Sequence, residues 1–139
     1  MKTYLIKYPD KALSMILWLV AVHSILMGLA LIFQPAILME WSGFKSGYER
    51  FFPAQGGVFH LLMAVAYSLG ATDSRKYHFL IVFSVIVKAV ATVFLIVYCI
   101  TVEFKWIILV SGIGDGVMGT SIFIAFRRYI YFQTANGKV

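Results

Sequence analysis

The chain has 139 residues, of which 61% are hydrophobic and 13% charged, with a formal net charge of +6. A water-soluble domain carries about 25% charged residues to wet its surface, and a chain this short has too much surface to bury so many apolar side chains in one core. Lipid is the solvent left for them, so a single all-α integral membrane domain is expected. The positive charge falls in short flanks between apolar runs and forms no basic stripe, which excludes a nucleic-acid footprint.

The N-terminal stretch MKTYLIKYPDKALSMILWLV joins a basic lead to an apolar run, as a signal peptide does. The run continues through Leu31 and Phe33 with no A-x-A site, so the reading is a retained span over 12–33. Pro35 should end that helix, because the residue before a proline avoids the helical region. The longest connection follows, QPAILMEWSGFKSGYERFFPAQGG. Within it AILMEW is apolar enough to lie in the outer interface, so a short helix or re-entrant turn over 36–46 is expected to cap the bundle's mouth. A plain loop is the alternative. SGYE at Ser46–Glu49 has the form of a capping box, so a helix can begin there, with Pro53 in or near its first turn.

Three further spans are predicted over 52–71, 79–100 and 106–126. About 20 apolar residues cross ~30 Å of hydrocarbon, and a backbone in lipid must satisfy its own hydrogen bonds, which makes the spans helices. Short connections make neighbours antiparallel, giving a four-helix up-down bundle. Lys2, Lys7, Lys11, Arg75, Lys76, Arg127, Arg128 and Lys138 fall on one side, against Lys45, Arg50 and Lys105 on the other. That asymmetry puts both termini in the cytoplasm, in a bacterial inner membrane. Tyr8, Trp41, Phe51, Tyr77, Trp106, Tyr129 and Tyr131 suit an interfacial belt, and His78 joins them. The single cysteine, Cys99, excludes an intrachain disulfide and a cysteine-only metal cage and reads as a small apolar residue.

Each span carries one ionisable residue near its midpoint: His23, His60, Lys88 and Asp115. At 1.5 Å per residue each lies within roughly 3 Å of its helix centre, so the four form one layer. A charge at that depth costs at least ~2.5–3.5 kcal/mol, so such side chains should turn inward and find partners. Opposite charge favours Lys88 with Asp115, and the histidines can serve as neutral hydrogen-bond partners. Ser84, Ala91 and Thr92 share the Lys88 face, while Gly57, Ala64 and Tyr67 share that of His60. Gly112, Gly114, Gly116 and Gly119 around Asp115 allow close helix approach, or a loosened helix that opens carbonyls to a cavity. Glu49, Arg50 and Gln55 lie toward the outer mouth.

Two uses of the layer follow. As a structural device it fixes register in an otherwise interchangeable apolar bundle. As a functional one it lines a pocket of His23, His60, Lys88, Asp115, Glu49, Arg50, Gln55 and Tyr67 for a small lipophilic ligand such as a quinone. Asp115 and His60 would be its acid–base candidates and Lys88 its electrostatic tuner. The other readings are a non-catalytic subunit of a larger membrane complex, a b-type haem protein ligated by His23 and His60, and a proton-coupled exporter using Asp115. No metal site is expected apart from that haem.

The four-span plan, the second span RFFPAQGGVFHLLMAVAYSLGATDSRKY, the lysine in the third span and the GDG of the fourth resemble the DoxX-like and BphX-like group of small bacterial membrane proteins. The resemblance covers about His23 to Phe126. It implies a four-helix fold and, for some members, an association with quinone-linked oxidation; it assigns no catalytic residue.

Overall fold

The structure is a computed structural model that describes residues 9–44 and 50–137. Expectations that rest on Lys2, Lys7, Tyr8, Lys45, the Ser46–Glu49 box and Lys138 lie outside the described residues. Among the described residues five helices follow one another: α1 (Pro9–Phe33), α2 (Ala36–Trp41), α3 (Phe51–Thr72), α4 (His78–Thr101) and α5 (Trp106–Ala135). Among the described residues there is no strand. All but α2 are long and apolar enough to cross a membrane, the pattern of a multi-pass membrane protein.

Local chemistry sets the ends. α1 stops where Pro35 forbids a helical predecessor: Gln34 takes the left-handed region at φ 46°, rare for a side chain with a Cβ. Its N–H still donates to the Ala30 carbonyl at 2.9 Å, and its Nε2 donates to the Arg50 carbonyl at 3.3 Å, tying the end of α1 to the start of α3. α3 has Arg50 at its N-cap without a side-chain cap bond. Pro53 falls in the first turn, where its missing N–H would have had no intrahelical partner. Between α3 and α4, Asp73 Oδ1 accepts the N–H groups of Arg75 and Lys76 at 3.1 and 2.9 Å, a tight polar turn. α5 runs past the expected end at Phe126 to Ala135. The apolar window closes at the arginines, but nothing in RRYIYFQTA breaks a helix; at 30 residues α5 is about 45 Å long and outreaches the hydrocarbon thickness.

The long helices form two hairpins. In the first, α1 and α3 meet at Gly28 and Gly57: a Cβ added to Gly57 would lie 2.6 Å from the Gly28 carbonyl oxygen, and one on Gly28 would lie 2.9 Å from that of Gly57. Only glycine permits that approach. Farther along, Ser14 Oγ donates to the Ala71 carbonyl at 2.7 Å. In the second hairpin Gly112, Gly116 and Gly119 of α5 face Ile96, Thr92 and Lys88 of α4 in descending order. These registers, with Gly70 against Ile81, make α1, α3, α4 and α5 successively antiparallel, as an up-down bundle requires.

The hairpins share a core at one end. Leu13, Leu17 and Val20 of α1, Tyr67 and Ala71 of α3, Ile81 of α4, and Ile122, Ala125 and Tyr129 of α5 bury one another there, beside the Asp73–Tyr77 connection. The opposite end is bridged by the long connection. α2 buries none of its residues, but Trp41 meets Trp106 edge to face at 4.6 Å and Lys105 Nζ lies 4.0 Å from the centre of the Phe44 ring. The expected 36–46 cap is thus a short helix to Trp41 followed by a turn at Ser42 and Gly43.

Candidate functional site

The middle of the second hairpin holds a buried salt bridge. Lys88 Nζ donates to Asp115 Oδ1, with Lys88 3% and Asp115 8% exposed. Lys88 reaches Asp115 because Gly119 leaves room for its stem: a Cβ there would lie 2.9 Å from the Lys88 Cβ. The ammonium also lies 5.9 Å from the centre of the Tyr67 ring, whose side chain is fully enclosed. An aromatic face adds to the attraction the carboxylate provides. Neighbouring hydroxyls are absorbed by the helix itself, with Ser84 Oγ donating to the Leu80 carbonyl at 2.6 Å and Thr92 Oγ1 to that of Lys88 at 2.7 Å. They leave the ammonium to its partner on α5.

A cleft of about 730 Å³ runs beside this pair, between α3 and α4. Tyr67, Met63 and His60 form its α3 wall, Lys88 and Ala91 its α4 wall, and Asp115 reaches it from α5. Phe59, Ile86, Val90 and Phe94 stand on its rims, all exposed on the outer surface of the bundle. Leu31 and Gly56 line the end nearest α2. The cleft is therefore apolar at its sides and charged only at Lys88 and Asp115. A second, smaller cleft of about 360 Å³ touches Asp115 from another face of the α4–α5 pair, beside Thr92, Gly116 and Thr120.

The helix registers put His23 level with Lys88, and His60 level with Asp115, about one turn nearer the α2 end. Both histidines lie within electrostatic reach of Lys88 and Asp115. The shared depth is present, but the shared inward direction is not. His60 is half-buried in the cleft wall, whereas His23 is exposed and lines no part of that cleft. The inward arc of α1 is Leu13, Leu17, Val20, Ala21, Ser24 and Gly28. His23 is about 100° round the helix from Ser24 and falls off it. The bis-histidine haem arrangement, which needs both rings facing one space, is not formed.

The remaining candidates separate. Tyr67 is at the floor of the cleft. Arg50 and Gln55 are exposed and outside it, Gln55 because α3 turns Gly57, Ala64 and Tyr67 inward and position 55 to the far side. Glu49 lies outside the described residues. Around Asp115 the glycines do not loosen the helix, which is continuous from Trp106 to Ala135. Ser24 carries an unexpected feature: its Oγ is buried without a hydrogen-bond partner, on the face of α1 that packs inward. Among the described residues no three His, Cys, Asp or Glu side chains come together as a metal site would need.

Comparison with profiles of known families, with curated proteins and with solved structures gives no match. The likeness to the DoxX-like and BphX-like group stays an expectation of the sequence.

Proposed function

We propose that this is a multi-pass protein of the bacterial inner membrane, with both termini cytoplasmic, that binds a small lipophilic ligand in the cleft between α3 and α4. The observation that carries the reading is the cleft's division of labour: apolar walls and rims, with one buried ion pair as its charged floor. Binding sites for small molecules have this build, mostly apolar with a few placed polar groups that orient the ligand. The rims are exposed along the outer surface, so a ligand reaches the floor sideways from the acyl chains without crossing water. A tail would lie along Phe59, Val90 and Phe94, and a polar head would meet Lys88 and Asp115. A quinone carbonyl, an acceptor, matches the ammonium; His60 and Asp115 stand where a proton would be given or taken. The ion pair also fixes the register of α4 on α5, the structural use attested for buried charges, and the two roles are compatible.

Decylubiquinone tests the reading. In detergent it is expected to raise the Tm of the wild-type protein and to leave Ala91→Phe, which fills the cleft beside the ion pair, unchanged. Dodecane at the same concentration, with a tail and no carbonyl, is expected to shift neither. A wild-type Tm unmoved by the quinone, or moved equally in Ala91→Phe, refutes the site.

A further inference from the structure

The smaller cleft that reaches Asp115 along the seam of α4 and α5 holds about 360 Å³ and is built unlike its larger neighbour. Glycines make the room for it. Positions 116 and 119 of α5 carry no side chain where α4 presents Thr92 and Lys88; a Cβ there would lie 3.3 Å from Thr92 Cγ2 and 2.9 Å from Lys88 Cβ. Val85 and Ala89 of α4 and Phe123 of α5 form the apolar walls. Val93 and Phe123 are exposed, so the cleft opens toward the outer surface of the bundle.

The polar groups of the two clefts differ in kind. The larger one is lined by both Lys88 and Asp115, a donor and an acceptor, whereas the smaller one is lined by Asp115 without Lys88. Lys88 donates to Oδ1 of the carboxylate. Among the described residues Oδ2 receives no hydrogen bond, and Ser24 Oγ is the one fully enclosed polar side-chain atom without a partner, so Oδ2 keeps an open side. Thr92 donates its hydroxyl proton to the Lys88 carbonyl at 2.7 Å, which leaves its oxygen an acceptor. Thr120 is the remaining hydroxyl of the wall, and its proton turns to suit what it meets.

This set selects a ligand class. A ketone or quinone head would bring only acceptors to a wall of acceptors. An ammonium would add a second cation to a carboxylate that Lys88 already balances, and an uncompensated charge in an apolar cleft is costly. A neutral hydroxyl does neither: its proton goes to the carboxylate and its oxygen accepts from Thr120. The volume stands near the lower end of ligand sites, which hold about 300–1,000 Å³, and suits one ring or a short chain.

We infer that the α4–α5 cleft binds a small lipophilic phenol or alcohol, whose hydroxyl donates to Asp115. The ligand class and the face of the ion pair both differ from those of the quinone cleft, and the inference does not depend on that reading.

The test compares 4-hexylphenol with its methyl ether, 4-hexylanisole, which lacks the proton. Affinities for the full chain are taken from the concentration dependence of Tm, in lauryldimethylamine oxide, a detergent with no hydroxyl to compete. The phenol is expected to bind about tenfold more tightly than the ether, the size of one hydrogen bond to a charged acceptor. Ala89→Phe, at an exposed position, fills the smaller cleft and is expected to abolish that margin, whereas Ala91→Phe fills the larger one and is expected to keep it. Ala89→Leu is expected to narrow the margin and carries the test if the phenylalanine variant does not fold. Equal binding of phenol and ether, as an acyl chain filling the cleft would give, overturns the inference. So does a margin kept in the position-89 variants and lost in Ala91→Phe. A wild-type protein that is dimeric by light scattering and monomeric as Ala89→Phe also overturns it, since a second copy would then be the occupant. Failure of the quinone reading shows separately, in the decylubiquinone experiment.

Discussion

Removing either member of the Lys88–Asp115 pair should destabilise the bundle more than removing both. In Asp115→Asn the lysine keeps its place under Tyr67 and against Gly119 but loses its counter-charge. It either stays charged without a partner or gives up its charge, and both routes cost free energy in a dry interior. Breaking a buried pair from one side costs about 3–5 kcal/mol, whereas replacing both partners by neutral groups of similar volume is often close to neutral. Lys88→Met keeps the stem that packs beside Gly119, and Asp115→Asn keeps the carboxylate's shape, so packing losses stay small in the double variant. The expected cycle is about 3 kcal/mol lost in each single variant and under ~2 kcal/mol in the double, a coupling of about 4 kcal/mol. Unfolding in mixed detergent, followed by circular dichroism, measures all four proteins. Additive losses, with no coupling beyond ~0.5 kcal/mol, would mean that the two groups do not hold each other in the folded chain.

Two further substitutions probe the packing that surrounds the pair. Gly57→Ala places a methyl 2.6 Å from the Gly28 carbonyl oxygen, a backbone atom that cannot move alone, so α1 and α3 must part. A loss of about 1–3 kcal/mol is expected in the same unfolding assay, while Gly114→Ala, with nothing within 4 Å, should gain up to ~1 kcal/mol of helix propensity. Equal effects of the two would refute the close approach. Ser24→Ala removes a buried hydroxyl that has no partner and should raise stability by about 1 kcal/mol; a loss of stability would show that the oxygen is satisfied.

How much of this was legible in the sequence depends on the residue. The four long apolar helices were, because length and hydropathy are properties of the chain itself. So was the pairing of Lys88 with Asp115, since two opposite charges on consecutive apolar helices at similar depth have few other partners. His23 was misread because α1 is apolar all round. With no polar face to contrast against, its inward side is marked only by the small residues Ala21, Ser24 and Gly28, and a histidine near them gives no angle of its own. The end of α5 was misread because an apolar window measures where lipid would stop, whereas a helix stops where its backbone is capped or broken. Of the residues that line the cleft, His60, Tyr67, Lys88 and Asp115 stand out in the sequence, but its other walls are ordinary apolar residues such as Met63 and Phe94, and the space between them depends on how two hairpins lean together.

That lean has a mechanical consequence. Each hairpin is zipped internally through glycine contacts, while the two share a packed core at one end and are bridged at the other by Trp41 on Trp106 and Lys105 on Phe44. A unit built this way is tied at both ends and least tied at its waist. Lys88 and Asp115 sit on the same hairpin. Any parting of the two hairpins at mid-height would therefore leave cation and anion together, and the one charged contact it would loosen is that of Lys88 with the Tyr67 ring.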